Sequence, residues 1–196
     1  MKRIEFLLFP ILAVALMAGN AFAQSISLNS SRSNIYFSNA NTPNAPDATV
    51  RIINDGDTET NLYAAIYVFD DSEELQECCS CVITPDGLLS ESVNNNLTAN
   101  PLTGIKPTRG VIDLISSSTP GAAGPPPTPS TVVPTPGLHG WATHIQKLAS
   151  GFAVTETQFA VSNLAASELV LLQELCYFDG KLSGKPCTCT PEDADF

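Results

Sequence analysis

Residues 49–69, Thr49-Val50-Arg51-Ile52-Ile53, Asn54-Asp55-Gly56-Asp57 and then, after Thr58-Glu59-Thr60-Asn61, Leu62-Tyr63-Ala64-Ala65-Ile66-Tyr67-Val68-Phe69, decide the fold class. β-Branched and aromatic residues favour strands, and they lie here on both sides of an Asp-Gly pair that supplies the positive φ of a tight turn. The segment is expected to be a β-hairpin. Its second strand, from Leu62 to Phe69, is apolar at nearly every position and is expected to be buried on both faces.

Strand signals continue outward in both directions. Upstream, Ile26 and Leu28 alternate with serines before Ile35-Tyr36-Phe37, and Asn39 to Asp47 reads as a loop. Downstream, Asp70-Asp71-Ser72-Glu73-Glu74 has the form of a capping box, with Asp71 as cap and Glu74 three residues on. It predicts a short helix ending at Cys78 and Cys79, with Cys81 opening a strand that stops at Thr84-Pro85-Asp86-Gly87. Leu88 to Val93 and Gly110 to Ile115 are two more expected strands. Gly140 to Ile145 and Gly151 to Thr157 are expected to pair with each other. Ser167 to Phe178 is the best helical segment, with Leu169, Leu172, Leu175 and Cys176 at helical spacing, Ser167 as cap and Gly180 as stop.

Short strands at regular intervals with only two helices predict a mainly β fold, a β-sandwich or small open barrel of about seven or eight strands. Thr119 to Pro136 carries Pro120, Pro125, Pro126, Pro127, Pro129, Pro134 and Pro136 and is expected to be an exposed, partly extended loop. Strand signals resume directly beyond it, so it interrupts a single domain, residues 24–196, and does not divide two.

Residues 1–23 have the three parts of a secretory signal. Lys2 and Arg3 precede an apolar stretch from Phe6 to Ala18, and Ala21-Phe22-Ala23 places small residues for cleavage after Ala23. The stretch is short for a membrane span and is interrupted by Pro10, so no transmembrane segment is expected. Export implies a periplasmic or extracellular location, where thiols oxidise. The formal charge of -11 with no basic stripe makes the chain a poor nucleic-acid ligand.

Six cysteines form two clusters, Cys78-Cys79-Ser80-Cys81 and Cys176, Cys187, Cys189. In an exported chain they are candidates for three disulfides. Vicinal pairing of Cys78 with Cys79 strains the backbone, and Cys187 to Cys189 closes too small a loop, which favours bridges between the clusters in an order the sequence leaves open. The alternative is a metal or thiol-redox site. Cys78 and Cys81 stand at Cys-x-x-Cys spacing, but they follow the expected short helix where a dithiol oxidoreductase places the pair before one, and Cys176, Cys187 and Cys189 supply no second such pair as a zinc ribbon requires.

Other polar groups point to no chemistry. Asp55, Asp57 and Glu59, and the group Asp70, Asp71, Glu73, Glu74 and Glu77, are rich in oxygen ligands, but turn and cap chemistry accounts for both without calcium. His139 and His144 flank Trp141 five positions apart, which places them on opposite faces of a strand as surface groups, with Trp141 in the core or on its rim. No nucleophile elbow, phosphate loop or dinucleotide fingerprint is present, and no catalytic, metal-ligating or cofactor-binding residue is assigned.

The run Ile66-Tyr67-Val68-Phe69-Asp70, Glu73-Glu74-Leu75, Glu77-Cys78-Cys79-Ser80-Cys81 and Thr84-Pro85-Asp86-Gly87-Leu88 resembles an uncharacterised family of short secreted bacterial proteins. The likeness extends to Thr155-Glu156-Thr157-Gln158-Phe159 and to the Glu168–Cys176 segment. It implies an exported, disulfide-bonded protein and nothing catalytic. The expected function is a non-enzymatic structural or binding module at or beyond the cell surface, with an unidentified protein or surface partner or self-assembly by strand addition through Gln24 to Asn34. A thiol-redox or metal-binding protein, and a hydrolase with an unrecognised site, are the alternatives.

Overall fold

The computed structural model describes residues 31–38, 45–98, 104–120, 132–183 and Cys189, the side chains of 181–183 excepted. The expected signal peptide, the Ile26 to Ser30 part of the first extended region, most of the Gln24 to Asn34 segment expected to add as a strand, the middle of the proline-rich stretch and Cys187 lie outside the described residues. Nine strands run in chain order: β1 (Arg32–Ser38), β2 (Thr49–Asn54), β3 (Leu62–Asp70), β4 (Leu75–Ile83), β5 (Leu88–Ser92), β6 (Arg109–Ser117), β7 (Leu138–Lys147), β8 (Phe152–Gln158) and β9 (Ala160–Ser162). A π-helical turn at Val93–Leu97 and one α-helix, α1 (Ala166–Ser183), complete the described elements.

The strands form two antiparallel sheets, one ordered β4-β3-β6-β1-β9 and the other β5-β2-β7-β8. The sheets are open and stack face to face, so the fold is a sandwich and not a closed barrel. Alternation builds the core between them. Val50 and Ile52 from β2 and Ala142 from β7 meet Ile35 and Phe37 from β1, Ala64, Ile66 and Val68 from β3, and Ile112 and Leu114 from β6. A second apolar cluster lies on the outer face of the five-stranded sheet, where Ala65, Tyr67, Cys78 and Ile115 receive Leu172 and Cys176 of α1. β3 therefore buries both faces, as its continuous apolar run predicts.

Three local expectations need correction. β2 and β3 do not form a hairpin: β2 pairs with β5 and β7, whereas β3 pairs with β4 and β6, so the Asp55-Gly56 turn is an arch that carries the chain from one sheet to the other. Asn54, almost fully buried, explains the difference. Its Nδ2 donates to the carbonyls of Thr60 (3.0 Å) and Ile83 (3.1 Å), its Oδ1 accepts from the Gly56 N–H (3.1 Å), and its own N–H donates to Gly87 (3.1 Å). Asp55 adds an N–H bond to Gly137 at 2.9 Å. Three sheet-to-sheet connections, β2–β3, β4–β5 and β6–β7, are thus tied at one point.

Asn54→Ala is expected to cost about 2–3 kcal/mol, because it strands buried carbonyls that Asn54 now satisfies. Urea unfolding at neutral pH measures it. A loss below about half a kcal/mol would show that water replaces the side chain.

The second correction concerns residues 70–79. The expected helix is absent; Asp70–Glu74 is the tight turn of a true hairpin between β3 and β4, and Cys78 and Cys79 lie mid-strand. Asp70 caps as a helix N-cap would, its Oδ1 accepting from the N–H groups of Ser72 (2.8 Å) and Glu74 (3.0 Å). Glu73 has φ 64°, however, and reverses the chain where a helix would continue. An Asx turn and a helix cap use the same bond, and the fate of the residues beyond it is decided by whether they find a sheet. The third correction is α1, which starts at Ala166, so that Ser167 lies within its first turn and is not its cap, and which runs on through the exposed Gly180. An interior glycine costs only about 1 kcal/mol, which a docked helix tolerates.

The expected β7–β8 hairpin is present in unbroken register from Trp141↔Gln158 to Lys147↔Phe152. β1, β5 and β6 also occupy their expected segments. Of the proline-rich stretch, Val132 is buried against α1 and Pro134 bridges Ser117.

Candidate functional site

β4 is an edge strand, and its alternating side chains send the cysteines to two faces. Cys78 points outward beneath α1 and is bonded to Cys176, with a Cα–Cα distance of 5.7 Å. Cys79 and Cys81 point to the inter-sheet core, where Cys81 is bonded to Cys189 at a Cα–Cα distance of 5.4 Å. Both described bridges join the N-terminal cluster to the C-terminal one. One holds α1 on the outer face; the other draws the chain beyond α1 to the inner face of the same strand. Cys79 is itself disulfide-bonded.

The sulfurs of Cys79, Cys81 and Cys189 all lie within 4.8 Å of one another, with Cys79 and Cys81 3.9 Å apart. Three thiolates at that spacing could hold a soft metal. In the oxidised protein each of these sulfurs is committed to a disulfide and offers no thiolate, so metal ligation requires reduction first. The same proximity would let a freed thiolate reach the neighbouring disulfide.

Between the sheets, at the end tied by Asn54, lies a cleft of about 440 Å³. Leu114, Leu138, Phe159 and Val161 supply its apolar lining, and Asp55, Asp57, Thr58, His139 and Gln158 supply polar groups. Gly140 lets the Phe159 ring and Leu114 pack close against β7 in the cleft wall, since a Cβ there would sit 3.1 Å from the ring and 3.3 Å from Leu114. His139 Nε2 lies 3.3 Å from Asp55 Oδ2, and Asp55 Oδ1 accepts from the Asp57 N–H at 3.0 Å. Among the described residues no serine or cysteine is hydrogen-bonded to His139, whose ring contact is with Asp55. The volume lies within the range of small-molecule sites.

His144 is not the surface group its neighbours suggested. It is buried, its ring stacks on Tyr36 with centroids 4.4 Å apart, and burial holds its pKa below the usual histidine value. Sequence alternation does place it opposite His139, and the two do not share a site. Trp141 is half-buried, on a rim. The acidic groups expected to serve turn and cap chemistry do so only in part: Asp70, not the expected Asp71, caps the β3–β4 turn and receives Gln76 Nε2 at 2.7 Å, Asp71 pairs with Arg109 at 2.6 Å, and Glu77 is buried within β4.

One charged group escaped sequence reading altogether. Arg32, at the start of β1, pairs with Asp113 of β6 at 2.7 Å and with Glu168 of α1 at 2.8 Å, and its Nη1 donates to the Asn163 carbonyl at 3.2 Å. Burial raises the Asp113 pKa, with Arg32 opposing the shift, and burial beside Asp113 pushes the Tyr67 phenol upward as well. The only sequence signal was the unusual isolation of one arginine in a serine-rich, apolar segment.

No protein-family model matches the chain, and no curated protein matches it. Among solved structures, the crystal structure of Thermotoga maritima 1070 aligns with 68% of this chain and 97% of its own length, at 13% identity and a TM-score of 0.42. The Anabaena sensory rhodopsin transducer aligns with 67% of this chain and all of its own, at 14% identity and a TM-score of 0.34. Neither likeness is near enough to carry a function across.

Asp179 faces inward from α1 and is buried, which raises its carboxyl pKa from 3.8 to about 6. A raised carboxyl pKa stabilises the fold while the group is protonated, and that contribution is lost as pH climbs through the window from about 4 to about 6. Relative to the wild type, Asp179→Asn is expected to gain stability progressively over that window and to match it near pH 3.5. Thermal melts of both proteins from pH 3.5 to 7 measure the difference; a pH-independent difference would mean that Asp179 does not titrate there.

Proposed function

We propose that this chain is an exported, non-enzymatic binding or structural module that works in an oxidising compartment. The observation that carries the reading is the cysteine state: both described bridges fasten the C-terminal region to the edge strand of a preformed sandwich, an arrangement characteristic of periplasmic and extracellular proteins. The inter-sheet cleft, apolar within and polar around Asp55 and His139, is the surface best suited to a ligand. No described helix is long and apolar enough to cross a membrane.

Intact mass of the natively produced, unreduced protein, with thiol alkylation before and after reduction, tests this reading. Expected are a chain beginning at Gln24 and six protected cysteines. A chain retaining residues 1–23, with alkylatable thiols, would overturn it, as would saturable turnover of a substrate abolished by a point substitution.

The closeness of the Cys79, Cys81 and Cys189 sulfurs favours a second reading, a thiol-redox protein. Structural disulfides have reduction potentials below about -300 mV, so titration against a dithiol buffer separates the two. Reversible opening of one bridge well above that potential selects the redox reading.

A further inference from the structure

We propose that β8 is a self-pairing edge through which two copies of this chain join in an antiparallel dimer. A sandwich of two open sheets has four edges, and an unpaired row of N–H and C=O groups is a template for another strand unless it is blunted. Three are blunted here. β4 is bulged against β3, where Gln76 is the extra residue between Leu75 and Glu77, β9 is three residues long, and β5 is five residues long and ends directly in the π-helical turn. β8 has none of these devices: its seven residues, Phe-Ala-Val-Thr-Glu-Thr-Gln, include no proline and no lysine, and its pairing with β7 has no bulge. From Val154 to Gln158 every residue is exposed, with Val154 at 54%.

The composition of the edge selects a second copy as its occupant. Antiparallel pairing about a two-fold axis at Thr155 sets Thr155 against Thr155 of the second copy, Val154 against its Glu156, Ala153 against its Thr157 and Phe152 against its Gln158. Opposed threonines are a favourable cross-strand pair, and no carboxylate stands directly opposite another, the two Glu156 side chains being diagonal neighbours across the axis. That matters in a chain of net charge -11, where most surfaces of two copies repel. Glu156, the single charge on the strand, is already matched by Arg51 of its own sheet at 2.9 Å. The contact is isologous and closes at two copies, giving one continuous sheet through both sandwiches.

Sedimentation equilibrium of the secreted, oxidised chain over a series of concentrations reaching the millimolar range tests the proposal. The wild type is expected to form dimers. Thr155→Lys opposes two ammonium groups on the axis and is expected to weaken the dimer by roughly tenfold or more. Val154→Lys faces the second copy's Glu156 and is expected to leave the dimer intact, so general loss of edge apolarity is controlled for. Thr155→Cys is expected to give a covalent dimer under mild oxidation, seen in the unreduced mass. Both positions are exposed, and circular dichroism verifies folding. A wild type that stays monomeric throughout, or a dimer or larger assembly that Thr155→Lys leaves unchanged, overturns the proposal. The inference goes beyond the proposed function: a monomeric but exported and fully bridged protein would remove the edge pairing and leave the export reading standing.

Discussion

In a background carrying Cys79→Ala and Cys187→Ala, so that no other disulfide constrains the chain, removing both described bridges, by Cys78→Ala with Cys176→Ala and Cys81→Ala with Cys189→Ala, is expected to lower the unfolding free energy by about 8 kcal/mol, enough to unfold a domain of ordinary stability. The two contributions are unequal and depend on order. Cys78 and Cys176 are 98 residues apart and Cys81 and Cys189 are 108 apart, so whichever bridge is present alone closes a loop worth about 4.7 kcal/mol in the chain-entropy model. The second bridge then closes only roughly sixteen residues, along the short segments 78–81 and 176–189, and adds about 3 kcal/mol. Either single-bridge deletion should therefore cost about 3 kcal/mol, and the double deletion more than twice that. Guanidinium unfolding of the three variants measures this. Equal, additive losses would mean that the bridges act through local packing and not through the unfolded chain.

Arg32→Met is expected to cost about 3–5 kcal/mol at pH 7, because it leaves the Asp113 carboxylate buried without its counter-charge. The loss should shrink as the pH falls. Burial already raises the Asp113 pKa, and without the opposing arginine the group protonates more readily, becoming neutral and tolerable in place. Adding Asp113→Leu to Arg32→Met is expected to recover most of the stability, since an apolar pair of similar volume replaces a buried ion pair at little cost. The docking of α1 should stay weaker, as Glu168 has lost its partner. Urea unfolding of the two variants between pH 4 and 7 decides the matter; a single-variant loss below about 1 kcal/mol would show that Asp113 is solvated in place.

Much of the sandwich was legible in the chain. The apolar run of β3, the β7–β8 hairpin and the α1 segment follow from alternation and periodicity, which depend on neighbours in sequence alone. The linking of the two cysteine clusters followed from loop geometry in the same way. The candidate site was far less legible. The cleft draws its lining from segments as distant as Asp57 and Val161, and no local pattern marks Gly140 as the position whose missing Cβ lets Phe159 and Leu114 pack against β7. Arg32 meets Asp113 and Glu168 only after three separate elements have come together.

The sequence by itself determined that this protein is mainly β, where most strands and the long helix lie, and that its two cysteine clusters should be joined. Propensity, turn chemistry and spacing act over a few residues and are already present in the unfolded chain. Only the tertiary structure decided that Asp55-Gly56 is an arch between sheets, that Asp70–Glu74 turns a hairpin instead of starting a helix, and that His144 is buried. In each case the local feature is the one its residues dictate, the positive-φ turn, the Asx cap and the strand alternation alike. What each led to depended on a partner far away in the chain: Gly87 and Ile83 for Asn54, the open edge of β3 for Leu75–Ile83, and Tyr36 for His144. Side-chain hydrogen bonds over two to four residues carry no information about which strand will lie alongside, because that choice is made by the burial of distant apolar faces.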